Sequence, residues 1–215
     1  MAELKSLESP VNRDGQARFG IRPERPLGIS IPDLRAMAKR IGRDHGLALQ
    51  LWRSGIHEAR ILAGMIDDPA AVTEDQMEAW AGDFDSWDLV DQCCGNLFDK
   101  TPFVWKKAEE WSGRQEEFVK RAGFSLMASL AVHDRRASDR SLAAFLRLIE
   151  REAWDGRNFV KKAVNWALRQ IGKRSRQLNE QAIQCALRIQ RQGTTSARWI
   201  AADALRELRA RRPPL

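Results

Sequence analysis

The sequence predicts an all-α protein, a curved solenoid of antiparallel helix pairs. Three observations predict it. Apolar residues recur with helical spacing nearly throughout, and no run shows the alternation of a strand. Helix caps and breakers divide the chain into segments of about 8–18 residues, ordinary lengths for globular helices. Connections are short, and helix pairs recur at irregular intervals of roughly forty residues. A compact helical bundle is the alternative arrangement of the same segments.

Taken in order, residues 10–20 hold a short helix, and the loop 21–30 follows with Pro23, Pro26 and Gly28. Pro32 sits where a first helical turn tolerates proline and opens a helix through Arg43. Further helices are expected over 46–53, 56–66, 73–82, 86–99, 101–111, 114–132, 139–151, 157–173, 177–192 and 196–210. Thr73-Glu74-Asp75-Gln76 matches a capping box at one of these starts. The recurrence of pairs has the spacing of HEAT-type repeats. No linker interrupts the chain, so residues 1–215 are expected to form one HEAT-like helical-repeat domain, with a frayed tail at 209–215.

Composition bounds the function classes. No apolar run at the start suggests a signal peptide, and no stretch approaches the length of a membrane span, so a cytoplasmic location is expected. Cys93, Cys94 and Cys185 are an odd set with two adjacent members. His45, His57 and His133 are scattered without ligand spacing. Reduced thiols in helix interiors, with no metal, are the expectation. The net charge of +7 hides an asymmetry: residues 1–110 carry 14 Lys and Arg against 19 Asp and Glu, and the remainder 22 against 10. A basic half of this strength suits a polyanionic partner, although charge alone is better met by a merely solvated surface.

Two segments carry chemistry. In 157–173, Val160, Val164, Ala167, Leu168 and Ile171 share the core face, while Lys162, Trp166, Arg169 and Lys173 form the opposite row. An indole displayed among cations can meet a base or sugar while they bind phosphates; the structural alternative is packing against a neighbouring repeat. In 86–99, Trp87, Asp91, Cys94 and Phe98 share a face, which points the Asp91 carboxylate toward apolar company. Such an acid is either chemical or structural, paired with an arginine or capping a neighbouring helix. Asp88, in the first turn after Ser86, suits the helix dipole without further function. Arg121, on the flank of a helix whose inner face is Phe118, Ala122, Ser125, Ser129 and Leu130, is either a phosphate clamp or a salt-bridge partner.

Taken together these segments resemble the AlkD-like DNA alkylation repair glycosylases, a family of HEAT-like repeat proteins. The matching stretches are Ile31-Pro32-Asp33-Leu34-Arg35, Leu51-Trp52 with His57-Glu58-Ala59-Arg60, Ser86-Trp87-Asp88-Leu89-Val90-Asp91, Lys120-Arg121-Ala122, and the run from Phe159 to Arg169. Val119-Lys120 precede Arg121 where the family often has an aromatic residue and a second arginine. The resemblance implies excision of cationic N3- or N7-alkylated purines from duplex DNA by N-glycosidic hydrolysis, without flipping the base and without a cofactor. It further implies that Asp91 is the catalytic carboxylate, that Trp87 and Trp166 flank the lesion's deoxyribose, and that Arg121 binds the backbone nearby. Lys161, Lys162, Arg169 and Lys173 are the expected DNA-binding set, alkylated duplex DNA the expected partner, and a monomer the expected state. A non-catalytic DNA-binding module and a protein-interaction scaffold are the other readings the residues allow.

Overall fold

The structure is a computed structural model that describes residues 2–210. Among them are thirteen α-helices, one 3-10 turn and no strand. Residues 211–215 of the expected frayed tail lie outside the described residues, while Arg209 and Ala210 close the last helix. The chain divides into two compact units, Met1–Pro102 and Phe103–Leu215.

The first unit contains α1 (Ala2–Ser6), α2 (Pro10–Arg18), α3 (Ile31–Ile41), α4 (His45–Arg53), α5 (His57–Ile66), α6 (Glu74–Gly82), α7 (Trp87–Asn96) and the 3-10 turn Phe98–Lys100. Its centre is α5, which packs against α3, α4 and α7 and buries eight of its residues. Starts follow local chemistry. Ser30 caps α3 by accepting from Asp33 N, with Pro32 in the first turn, and Thr73 caps α6 by accepting from Gln76 N. The Gln76 amide does not complete a capping box but donates to the buried carboxylate of Asp67 at 2.7 Å. Ser86 occupies the cap position of α7 but makes no side-chain cap bond, and the helix begins at Trp87. A tryptophan stack, Trp52 on Trp80 with ring centroids 3.9 Å apart, anchors α4 to α6.

The second unit contains α8 (Val104–Ser112), α9 (Glu117–His133), α10 (Asp139–Glu152), α11 (Asn158–Gly172), α12 (Arg176–Arg191) and α13 (Thr195–Ala210). Consecutive helices pair, α8 with α9, α10 with α11 and α12 with α13. Stacking of the pairs makes one layer of α9, α11 and α13 and another of α8, α10 and α12. Because α9 is covered by α8 on one side and α11 on the other, Val119 to Ala131 are buried without interruption. Arg121 is therefore not on an open flank but 6% exposed, a correction that follows from treating a two-sided helix as one-sided.

The approach of α9 to α8 depends on Gly123. A Cβ there would lie 2.4 Å from Ser112 N and 2.8 Å from the Trp111 carbonyl carbon, both backbone atoms. Gly123→Ala is expected to lower stability by roughly 1–3 kcal/mol through overpacking. Gly156→Ala, where nothing lies within 4 Å, should be near neutral in the same urea titration. Equal effects at the two glycines would contradict this packing account.

Among the described residues no helix is long and apolar enough to cross a membrane, and no group of three or more His, Cys, Asp or Glu is placed to hold a metal ion. All three cysteines are buried and none is in a disulfide; burial pushes the Cys185 thiol up to about 12 and Cys93 far above its ordinary value.

Candidate active site

The first unit holds a cavity of about 560 Å³ between α7 and the α2 segment. Trp87, Asp88, Asp91 and Gln92 line it from α7, one turn apart by helical spacing. Gln16 and Phe19 line it from the α2 side, with Ile29, Ile31 and Ile61 as apolar wall. Asp91 is half-buried at this wall, while its expected companions Cys94 and Phe98 are fully buried beneath it. The acid thus has apolar neighbours but remains accessible from the cavity.

Local folding explains why the cavity exists. Glu58, fully buried, accepts from Leu27 N at 2.7 Å and Gly28 N at 2.6 Å, so one carboxylate satisfies two backbone donors of the loop after α2. Gly28 adopts φ +77°, and a Cβ on it would come within 2.3 Å of the Ser9 carbonyl oxygen, so both its conformation and its surroundings require glycine. Its carbonyl accepts from Asn12 Nδ2 at 3.0 Å, which holds α2 against the loop. The Trp87 indole N–H donates to the Phe19 carbonyl at 3.1 Å and so fixes the ring relative to the end of α2.

The motif His57-Glu58-Ala59-Arg60 is the frame of this site. Glu58 holds the loop and Ala59 is core. Arg60 lies over the Trp52 ring at 5.3 Å and pairs with Asp83 at 3.2 Å. His57 Nε2 is 2.9 Å from Asp88 Oδ2, the histidine side chain being wholly buried. Asp88 thus does more than complement the helix dipole, the sole role its sequence position suggests. Burial works against charge on both partners. Yet the bond and the opposite charge across it hold His57 above its ordinary 6.5 and Asp88 below its ordinary 3.8.

The sign follows for each group. The raised His57 value contributes stability that is complete below 6.5 and is lost as pH rises through the folded value. The lowered Asp88 value contributes stability that is complete above 3.8 and is lost as pH falls through its folded value. The stability gap between wild type and His57→Gln should therefore be widest between these two limits and narrow on either side. Urea titrations across the pH range read it, and a gap independent of pH would contradict the pairing.

Arg121 and Trp166 belong to the second unit. The Arg121 guanidinium donates from Nη1 to the Phe159 carbonyl at 2.7 Å, in the first turn of α11. Trp166 is half-buried rather than held out in solvent. In its row only Lys162 is exposed. Arg169 reaches Glu207 at 2.6 Å and Lys173 reaches the same carboxylate at 3.1 Å, so α13 neutralises two cations that the sequence expects on a polyanion. Bonds from both hold the Glu207 carboxyl below its usual range despite partial burial. Lys161 lies over the Trp199 ring at 5.1 Å. Sequence reasoning missed His57 and Asp88 as a pair, the α2 wall of the cavity and the Glu207 acid. The signal for the first was the His57 motif itself, whose partner lies 31 residues away in sequence.

A helical-repeat protein with an acid and an indole in one cavity narrows the class, and comparison with known proteins identifies the family. The family model described as DNA alkylation repair enzyme matches residues 1–208, and the chain belongs to that family. A solved structure described as "a new family of proteins related to the HEAT-like repeat DNA glycosylases with affinity for branched DNA structures" covers 99% of this chain and 95% of its own. Its TM-score is 0.79 at 20% identity. The likeness shows the HEAT-like fold that the helix-pair spacing predicts. Among curated proteins none matches the chain.

Proposed function

We propose that this protein is a DNA glycosylase that removes cationic N3- or N7-alkylated purines from duplex DNA by hydrolysing the N-glycosidic bond. The observation that carries the reading is the Asp91 carboxylate, half-buried one turn from the Trp87 indole on the wall of one cavity. An alkylated purine is already positive, so the bond electrons return to the base and neutralise it without a general acid. The charge that develops is on the sugar. A carboxylate stabilises that oxocarbenium-like centre and positions the water that attacks it, and the electron-rich face of Trp87 adds a cation–π contribution. Water supplies hydroxide to the sugar carbon and releases a proton, leaving an abasic site and the free base.

In this reading α11 supplies the DNA contacts of the second unit. Lys162 bonds phosphate, Trp166 packs against sugar or base, and Lys161 contributes from beside Trp199. Arg121 acts on DNA through α11 by fixing its first turn at the Phe159 carbonyl. Arg169 and Lys173 contribute less, because Glu207 binds them both. Lys162→Gln is expected to weaken binding to all DNA sequences alike and to reduce the salt slope by about one. Lys173→Gln should change the slope by less than half as much. Fluorescence anisotropy at several salt concentrations checks this, and a larger effect from Lys173 would contradict the role of Glu207.

The solved relative's described affinity for branched DNA favours a second reading, recognition of DNA junctions without excision. Incubation with N-methylated duplex, with chromatography of the supernatant, separates the two. Release of 7-methylguanine and 3-methyladenine supports the glycosylase. Absence of release from folded protein that binds a four-way junction more tightly than duplex supports the second.

A further inference from the structure

The last helix, α13, occupies cations on one side and presents its own on another. Toward α11 it turns acids: Asn165 Nδ2 donates to Asp203 at 2.7 Å, and Arg169 and Lys173 converge on Glu207. The contacts Lys161 to Trp199, Asn165 to Asp203 and Arg169 to Glu207 advance four residues at a time on both helices, so α11 and α13 run parallel. Beside this acidic row, Arg198, Trp199, Ala202, Arg206 and Arg209 are exposed and, by helical spacing, share a sector of about 100°. The face therefore carries three arginines and an indole with no acid among them. The Arg206 side chain is 76% exposed, against 29% for Arg169 on α11. Among the described residues Arg206 alone of the three arginines has an ion-pair partner, Asp203 at the edge of the face, and a pair so exposed contributes little. Lys161 lies over the Trp199 ring, yet the residue remains 40% exposed.

So large an apolar group usually finds burial, and one left among arginines suits a polyanion that has rings to offer. A duplex keeps its bases stacked inside and would engage the arginines while leaving the indole idle. An unpaired strand engages both. We propose that the exposed face of α13 binds an unpaired DNA strand, with Arg198, Arg206 and Arg209 bonding its phosphates and Trp199 stacking on a base. From Arg198 to Arg209 the helix rises about 17 Å, room for a few nucleotides. Lys161 is a positioning residue here, since it fixes the ring from α11. The proposal rests on the DNA-binding part of the reading above and adds a strand that neither excision nor the duplex contacts of α11 require. No base is drawn out of a duplex, because the strand is already unpaired.

Fluorescence anisotropy of the full chain with a labelled, undamaged oligothymidine tests it, beside an undamaged duplex. The wild type is expected to bind the oligothymidine. Trp199→Ala should weaken that complex at least about fivefold, as loss of one base–aromatic stack does, and weaken the duplex complex less than about twofold. Trp199→Phe, which keeps an aromatic face, should retain most of the affinity. Arg198→Gln and Arg209→Gln keep the test standing if Trp199→Ala unfolds, and each should lower the salt slope on oligothymidine by about 0.7. No oligothymidine binding by protein that holds the duplex, equal losses on both ligands in Trp199→Ala, or unchanged slopes in the arginine variants would overturn the strand site. A dimer seen by sedimentation that Trp199→Ala dissolves, with oligothymidine binding intact, would overturn it too and assign the face to a second copy. No bond is cleaved in these measurements. A protein that excises alkylpurines yet ignores oligothymidine overturns the strand site alone, and one that binds it through Trp199 without excision overturns the glycosylase reading alone.

Discussion

Lys120→Ala is expected to lower the unfolding midpoint by roughly 10 °C, the largest stability effect of any single substitution considered. Lys120 is 2% exposed, and its ammonium lies 2.8 Å from Glu152 and 3.3 Å from Asp155, both buried. It also sits 5.6 Å from the centroid of Trp154. The two acids have outer partners, Arg151 on Glu152 and Arg157 on Asp155, each at the edge of solvent. Removing the central cation leaves two carboxylates in a site that excludes water, which costs roughly 3–5 kcal/mol. Replacing Lys120 by Met, which keeps most of the volume, should be nearly as damaging, since the loss is of charge rather than packing.

The pH dependence separates charge from packing. Burial works to raise the Asp155 carboxyl, but hydrogen bonds and charge from Arg157, with a bond from Lys120, hold it below its usual range. A lowered carboxylate contributes stability above its unfolded value of 3.8 and loses it as pH falls through the folded value. The gap between wild type and Lys120→Met should therefore shrink in acid, where the acids take up protons. Midpoints within a few degrees of wild type at neutral pH, or a gap that persists unchanged in acid, would contradict the ion cluster.

Much of the fold was legible because helical periodicity and caps are local. The expected helix at 139–151 is Asp139–Glu152 in the structure, and that at 196–210 is Thr195–Ala210. The helix missed, Ala2–Ser6, is five residues long and buries only Leu4, too little for a periodic pattern to register. The expected helix 86–99 stops at Asn96 and gives way to a 3-10 turn because Leu97, with φ −127° and ψ −63°, leaves helical geometry.

The candidate site was legible only in part. Trp87 and Asp91 could be placed on one face from their spacing of four, and the cavity wall bears this out. Their surroundings could not, since Glu58 holding the loop at Gly28 and His57 holding Asp88 join positions about thirty residues apart. The same limit misjudged α11. Spacing put Arg169 and Lys173 opposite the core, but whether a surface is free depends on the neighbouring helix, and α13 brings Glu207 to it.

Asp91→Asn is expected to reduce the excision rate by roughly 10²–10³-fold, equivalent to about 3–4 kcal/mol of transition-state stabilisation. The substitution keeps the shape and hydrogen-bonding reach of the side chain and removes its charge. The neutral amide can still position water but no longer opposes the positive sugar. Because the phosphate contacts reside on α11 in this account, duplex affinity should change little, and the defect should appear in the chemical step. Asp88→Asn should instead lower stability by weakening the bond to buried His57, so the two carboxylates, one turn apart, separate by their effects.

The most direct test is single-turnover release of 7-methylguanine from a methylated duplex, run side by side with wild type and Asp91→Asn at protein concentrations that retain the DNA equally. The account predicts steady release by the wild type and a collapse toward the uncatalysed rate in the variant. Equal release by both proteins, or none by a wild type that holds the duplex, would contradict it.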